Sequence, residues 1–189
     1  MSGERNKALG YLRLLLLYLL IGFLAWQSRP TPTTFVIGVV LAVLGETVRF
    51  WAAGHLLKSR ELVTSGPYAY TQNPLYLGRI FIYSGFCIMA RLDFYLNLAV
   101  LVIGMGIFSF YYLPRKIRVE GARLARLHGD AWKAYFDEMP ILFPRLTPYQ
   151  ASVAAPWRTE RMMRNREYLM VLGVGLICLL FAAKAWNFF

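Results

Sequence analysis

The sequence predicts an all-α, polytopic integral membrane protein with about five transmembrane helices and a polar helical segment on the cytoplasmic side. Three observations predict it. Of 189 residues, 58% are hydrophobic and 16% charged, against about a quarter charged in ordinary soluble domains. Apolar runs long enough to span a bilayer recur along the chain. Most Lys and Arg residues gather in the stretches between those runs. The net charge of +11 would suggest nucleic acid in a soluble chain; beside apolar spans it points to membrane orientation and anionic lipid headgroups instead. Length allows a single domain over residues 1–189.

The first span runs from about Leu9 to Trp26, after Arg5 and Lys7. Its apolar stretch is too long for a signal peptide and no small-residue cleavage site follows, so it reads as retained. Arg29-Pro30-Thr31-Pro32 is a polar turn. The second span covers about Phe35 to Leu57 and contains Glu46 and Arg49, three apart and so on one helical face. Charges at that depth must pair or face a cavity. Two readings stand side by side: an intrahelical ion pair, or a role in a pocket.

The next stretch, Leu62 to Gly78, cannot be a simple helix. Pro67 and Pro74 force the residues before them to extended geometry, and Gly66 allows a tight turn. Irregular backbone at a membrane edge is tolerated where protein covers it or where it lines a cavity. Pro74 suits a first helical turn and opens the third span, about Leu75 to Ala90. Arg91-Leu92-Asp93 turns the chain into a fourth span, Phe94 to Leu113, completing a helical hairpin in which Gly104 and Gly106 would let a neighbour approach closely.

A long polar segment, Pro114 to Ala155, comes next. Ile117, Leu124 and Leu127 recur at helical spacing among basic residues. Gly129 is placed to stop that helix and Asp130 to cap a short amphipathic one that ends before Pro140. Arg158 to Arg166 precede the fifth span, Tyr168 to Trp186. Five spans, read with the Lys/Arg bias, put the N-terminus, the 62–78 loop and the long basic segment on the cytoplasmic side. Cys87 and Cys178 sit in apolar runs and read as packing residues; His55 and His128 have no cysteine partners, so no metal site is expected.

Thr64-Ser65-Gly66-Pro67-Tyr68 followed by Asn73-Pro74-Leu75-Tyr76-Leu77-Gly78 resembles the signature of the isoprenylcysteine carboxyl methyltransferase family, and the related phospholipid N-methyltransferases carry a similar pattern. These are integral-membrane enzymes that use S-adenosylmethionine. The second half of the pattern lies beyond the hairpin, where Glu120, Leu124 and Gly129 keep much of the family's frame, followed by Tyr135 and Pro144-Arg145. The resemblance covers about Gly45 to Arg145.

It implies a cofactor site over residues 60–78 and 114–146, with contacts from Arg60, Glu61, Leu62, Val63, Tyr68, Asn73, Pro74, Leu75, Tyr76 and Glu120. The basic residue that meets a carboxylate substrate in the family falls on Lys116, which helical spacing puts on one face with Glu120. The same pair read without the resemblance is an ordinary surface ion pair worth under about 1 kcal/mol. Three positions depart from the family: Gln72 where arginine is common, Asn73 where the eukaryotic prenylcysteine enzymes have histidine, and Gly121 where a second glutamate stands.

These residue types suit methyl transfer from a sulfonium donor. Tyr68, Tyr76 and Leu62 supply apolar and aromatic walls, with a cation–π contact available to the sulfonium. Glu120 can take a ribose hydroxyl or the α-ammonium. A carboxylate acceptor needs only positioning and desolvation, with Lys116 orienting it; an amine acceptor needs a base, and Glu120 is the candidate. Lys116 and Glu120 are thus the expected catalytic residues, and a lipophilic or prenylated small molecule the expected acceptor, entering from the membrane. A phospholipid N-methyltransferase, or a membrane scaffold that keeps the fold without catalysis, are the competing readings.

Overall fold

A computed structural model describes residue 23 and residues 25–57, 62–152 and 155–187, and every regular element in them is helical. The first predicted span, Leu9 to Trp26, lies almost wholly outside the described residues.

Helix α1, Pro32–His55, starts where the sequence provides a cap. The Thr34 amide donates to the Thr31 hydroxyl at 3.3 Å, the Thr31 amide donates to the Thr34 hydroxyl at 2.9 Å, and Pro32 occupies the first turn. After a short 3₁₀ turn at Gly66–Ala69, α2 runs over Pro74–Ala90. Then come α3, Leu96–Ile107, a π-turn at Phe108–Tyr112, and α4, Leu113–Glu138. A short α5, Thr159–Arg164, leads into α6, Glu167–Ala185. Three helical stretches are long and apolar enough to cross a membrane: α1, the continuous run Asp93–Glu138, and α6. At 17 residues α2 is shorter, about 26 Å at 1.5 Å per residue.

α1 and α2 form the centre of the bundle as an antiparallel pair. Gly38 faces Gly85 and Gly45 faces Gly78: a Cβ built on Gly85 would lie 2.5 Å from the Gly38 carbonyl oxygen, and one on Gly45 would lie 2.5 Å from that of Gly78. Only glycine permits that approach, which stands in for the hydrophobic drive that helices in lipid lack. Ala42, Ile82 and Met89 continue the contact, and Val174 and Phe181 of α6 close a three-helix core over it. Val36, Val40 and Val43 point outward from α1, as lipid-facing residues do.

The expected close approach of a neighbouring helix occurs at Gly104, where the Tyr83 side chain of α2 fills the space a Cβ would take, but not at Gly106, where a Cβ would meet nothing within 4 Å. The fourth span also fails to end at Leu113. Its helix passes through Pro114, because the π-turn just before it, with the Leu113 amide bonded to the Phe108 carbonyl, absorbs the missing N–H. The helix bends instead at Gly129, whose φ of 52° lies in the left-handed region that glycine enters freely.

Within α1, Arg49 does not pair with Glu46. It reaches Glu167 at the start of α6, 2.6 Å away, with both side chains buried. Arg49 also donates to the Leu75 carbonyl at 3.3 Å. The C-terminal end of α1, the N-terminal end of α2 and the start of α6 therefore meet at one end of the bundle. Residues 62–73 and α4 lie at that same end.

Candidate active site

The loop 62–73 does not float. It is sewn to the segment that follows α4. The Gln72 amide donates to the Pro140 carbonyl at 2.9 Å, Arg145 N–H to the Tyr70 carbonyl at 3.1 Å, and Tyr149 N–H to the Ala69 carbonyl at 2.7 Å. The Thr71 hydroxyl adds a bond to the Leu142 carbonyl at 3.0 Å. Gly66, with φ 59°, holds the 3₁₀ turn against the His55 ring; a Cβ there would lie 2.5 Å from ring atoms.

Gln72 has a role the sequence does not announce. Its side-chain amide donates to the carbonyls of Phe136 and Met139, at 3.0 and 2.6 Å, capping the open C-terminus of α4. An arginine at this position would donate to the same acceptors, so this departure from the family pattern keeps the chemistry of the contact.

Tyr135 anchors the loop from α4. Its hydroxyl donates to the Tyr68 carbonyl at 2.7 Å, inside a cluster with Met139 and Tyr149. Burial pushes both the Tyr68 and the Tyr135 phenols well above the usual tyrosine range, so both remain neutral. Tyr135→Phe should cost about 1–3 kcal/mol by leaving a buried carbonyl unpaired, read as an earlier thermal unfolding midpoint in detergent. The part of stability that needs neutral phenols is full below about pH 10 and falls as pH climbs above it.

The loop, the first turn of α2 and the inner face of α4 enclose a cavity of about 450 Å³. Leu62, Val63, Tyr68, Asn73, Pro74, Leu75, Tyr76, Lys116 and Glu120 all line it. Arg60 and Glu61 lie outside the described residues. Ile117 and Leu124 also face it, while Leu127 points outward.

One ammonium ties the two halves together. The Lys116 Nζ lies 2.9 Å from Glu120 Oε2, 3.2 Å from Asn73 Oδ1 and 3.9 Å from the centre of the Tyr76 ring. The Asn73 amide nitrogen donates onward to the Ile141 carbonyl at 2.8 Å. Its oxygen keeps a second lone pair and its nitrogen a second hydrogen. Tyr76 is buried, with its ring edge-on to Tyr112 at 5.7 Å and its hydroxyl 3.4 Å from the Tyr112 hydroxyl.

Sequence reasoning did not single out Tyr112, Trp132, Phe136 or Arg79, all of which line the cavity. Tyr112 is turned in by the π-turn, which no residue pattern announces. Trp132 and Phe136 stack at 4.7 Å, one helical turn apart on α4. Trp132 also covers Gly121: a Cβ there would lie 3.2 Å from the indole. The position where relatives of this pattern carry a second acid is thus closed by an aromatic ring.

The model of the phospholipid methyltransferase family matches residues 33–130, which hold α1, the loop, the hairpin and the Lys116–Glu120 face. The chain belongs to the phospholipid methyltransferase family. Membership in this family of membrane methyltransferases accords with the three membrane-length helices and the all-helical architecture. Among curated proteins, the chain is 30% identical over 155 residues to the cobalt-zinc-cadmium resistance protein CzcN of Cupriavidus metallidurans, covering 80% of this chain and 67% of that one. It is 28% identical over 155 residues to the nickel-cobalt-cadmium resistance protein NccN of Alcaligenes xylosoxydans xylosoxydans, covering 80% and 68%. No solved structure matches the chain with significance.

Proposed function

We propose that this phospholipid methyltransferase family member is an S-adenosylmethionine-dependent membrane enzyme that methylates a lipophilic acceptor, with its site on the cytoplasmic face. The acceptor group closest to the sequence pattern is the carboxylate of a prenylated cysteine or a similar molecule. The observation that carries this reading is the single ammonium of Lys116 held by both Asn73 and Glu120 inside one cavity. Two sequence regions 43 residues apart come together there around one small-molecule volume.

The residues fit such a donor. The Trp132–Phe136 stack and Tyr68 offer flat apolar walls for a purine, and Tyr76 presents an aromatic face to a cation. Glu120 is half exposed at the cavity, and so open to a hydroxyl or ammonium. When bound, S-adenosylmethionine supplies a methyl group activated on a sulfonium. Everything else falls to the chain. The aromatic walls hold the reactants together, and Lys116 orients a carboxylate, which needs no base.

A second reading, phospholipid N-methylation, is favoured by the description of the matching family; Glu120 then serves as the base for an ethanolamine nitrogen. A third, a membrane scaffold without catalysis, is raised by the two relatives, which are named for metal resistance. Calorimetry with the demethylated donor, on the full chain in detergent, separates the first two from the third. Transfer of labelled methyl to a prenylcysteine analogue or to an ethanolamine lipid separates the first from the second. Lys116→Ala should raise KM for a carboxylate acceptor about tenfold while changing the donor's Kd by less than about threefold. An equal change in both would remove the acceptor role.

A further inference from the structure

Resting on the methyl-transfer reading, we propose that Arg79 is a specificity-determining residue that binds an anionic group of the acceptor at the mouth of the cavity. Arg79 sits one turn after Tyr76 on α2, so the two share a face. Its guanidinium carbon lies 5.1 Å from the centre of the Tyr76 ring, the ring over which Lys116 also sits at 3.9 Å. The side chain lines the cavity and is exposed, which puts it at the opening, not in the walls.

Its donors are uncommitted among the described residues. Among the described residues, every other charged side chain that lines the cavity has a polar partner: Lys116 has Glu120 and Asn73, and Glu120 has Lys116. Among the described residues Arg79 has its contact with the Tyr76 ring and neither a hydrogen bond nor an ion pair. The planar fork of an arginine matches a carboxylate or a phosphate bidentately.

The charge balance points the same way. The described cavity residues carry two cations, Arg79 and Lys116, against one carboxylate, Glu120. Gly121, covered by Trp132, adds no second acid. A methyl donor that is itself a net cation increases the excess. An acceptor arriving as an ammonium meets net positive charge in a confined space, whereas one that carries an anion is drawn in. Arg79, at the mouth, meets that anion first and leaves Lys116 to the inner position.

The test measures binding without the donor, so it does not depend on turnover. N-acetyl-S-farnesylcysteine and its carboxamide are titrated into the full chain in a detergent free of phosphate lipid. The parent should prefer the acid by about tenfold or more. Arg79→Gln should cut that preference at least severalfold, leaving what Lys116 supplies, while its elution and unfolding match the parent's, and Arg79→Lys should lose less of it, since the charge remains but the fork is lost. Equal affinity of the parent for acid and amide, or an undiminished preference in Arg79→Gln, overturns the proposal. Repeating the titration in nanodiscs of phosphatidylglycerol tests the other source of an anion. Persistence of the acid preference supports an acceptor role, while its loss there assigns Arg79 to membrane lipid and overturns it. Absence of methyl transfer to any acceptor would fail the enzymatic reading and leave this binding result standing.

Discussion

Arg49→Met should destabilise the protein by about 3–5 kcal/mol, the cost of breaking a buried ion pair by removing one partner. Arg49 and Glu167 are only 3% and 5% exposed and lie 2.6 Å apart between α1 and α6. Removing the cation leaves Glu167 uncompensated in an apolar interior, with Glu46 nearby and both of its carboxylate oxygens buried without a hydrogen-bond partner. It also frees the Leu75 carbonyl, which Arg49 holds at 3.3 Å. Leu75 lines the cavity, so the damage should reach the site: the variant that survives purification should bind the demethylated donor more weakly than the parent. The double variant Arg49→Met, Glu167→Leu should recover much of the lost stability, because a matched apolar pair carries no stranded charge. Thermal unfolding in detergent reads all three. An Arg49→Met protein that unfolds with the parent would mean the pair contributes nothing.

This pair marks the boundary of what the sequence could yield. Arg49 was visible as a charge that needed a partner, because a bilayer makes isolated charge costly wherever it falls. The partner was not visible. Glu46, on the same face three residues away, was the local choice, and Glu167 wins only because α6 returns to the same end of the bundle. Pairings that depend on the return path of the chain leave no local pattern. The Gly38–Gly85 and Gly45–Gly78 crossings are of the same kind, since each glycine is ordinary until the antiparallel register is known.

The loop and α4 behaved differently. Proline, glycine and tyrosine at close spacing exclude a long helix by sterics alone, and the structure has a short 3₁₀ turn there, closed by the Tyr70 amide on the Pro67 carbonyl. The pairing of Lys116 with Glu120 follows from 3.6 residues per turn, so it was legible at once. Gly129 was legible as a break because only glycine enters its φ cheaply. The π-turn was hidden, since Phe108-Ser109-Phe110-Tyr111-Tyr112 reads as plain apolar helix. With it went the inward turn of Tyr112. Arg79 was hidden for another reason: on an apolar run one arginine reads as snorkelling, and only the cavity beside it gives it a use.

Glu120→Gln should weaken binding of the demethylated donor by about 10- to 100-fold, the range expected when a charge-assisted bond is reduced to a neutral one. The argument runs through the local charges. Glu120 is half exposed on a helix surface, so the fold does not depend on it and unfolding should match the parent within about 0.5 kcal/mol. Within the cavity it is the sole carboxylate among the described residues, and Gly121 holds no second acid to replace it. Its loss leaves Lys116 and Arg79 facing a cationic donor without an opposing charge, so the penalty should grow at low salt and shrink at high salt as the repulsion is screened. Glu120→Asp separates charge from reach: if a hydroxyl or ammonium is met directly, the shorter acid should recover only part of the affinity. Calorimetry across a salt series measures this. Parent-like affinity in Glu120→Gln at low salt would mean that the donor is held without the α4 carboxylate, and the roles of the two halves of the cavity would have to be reassigned.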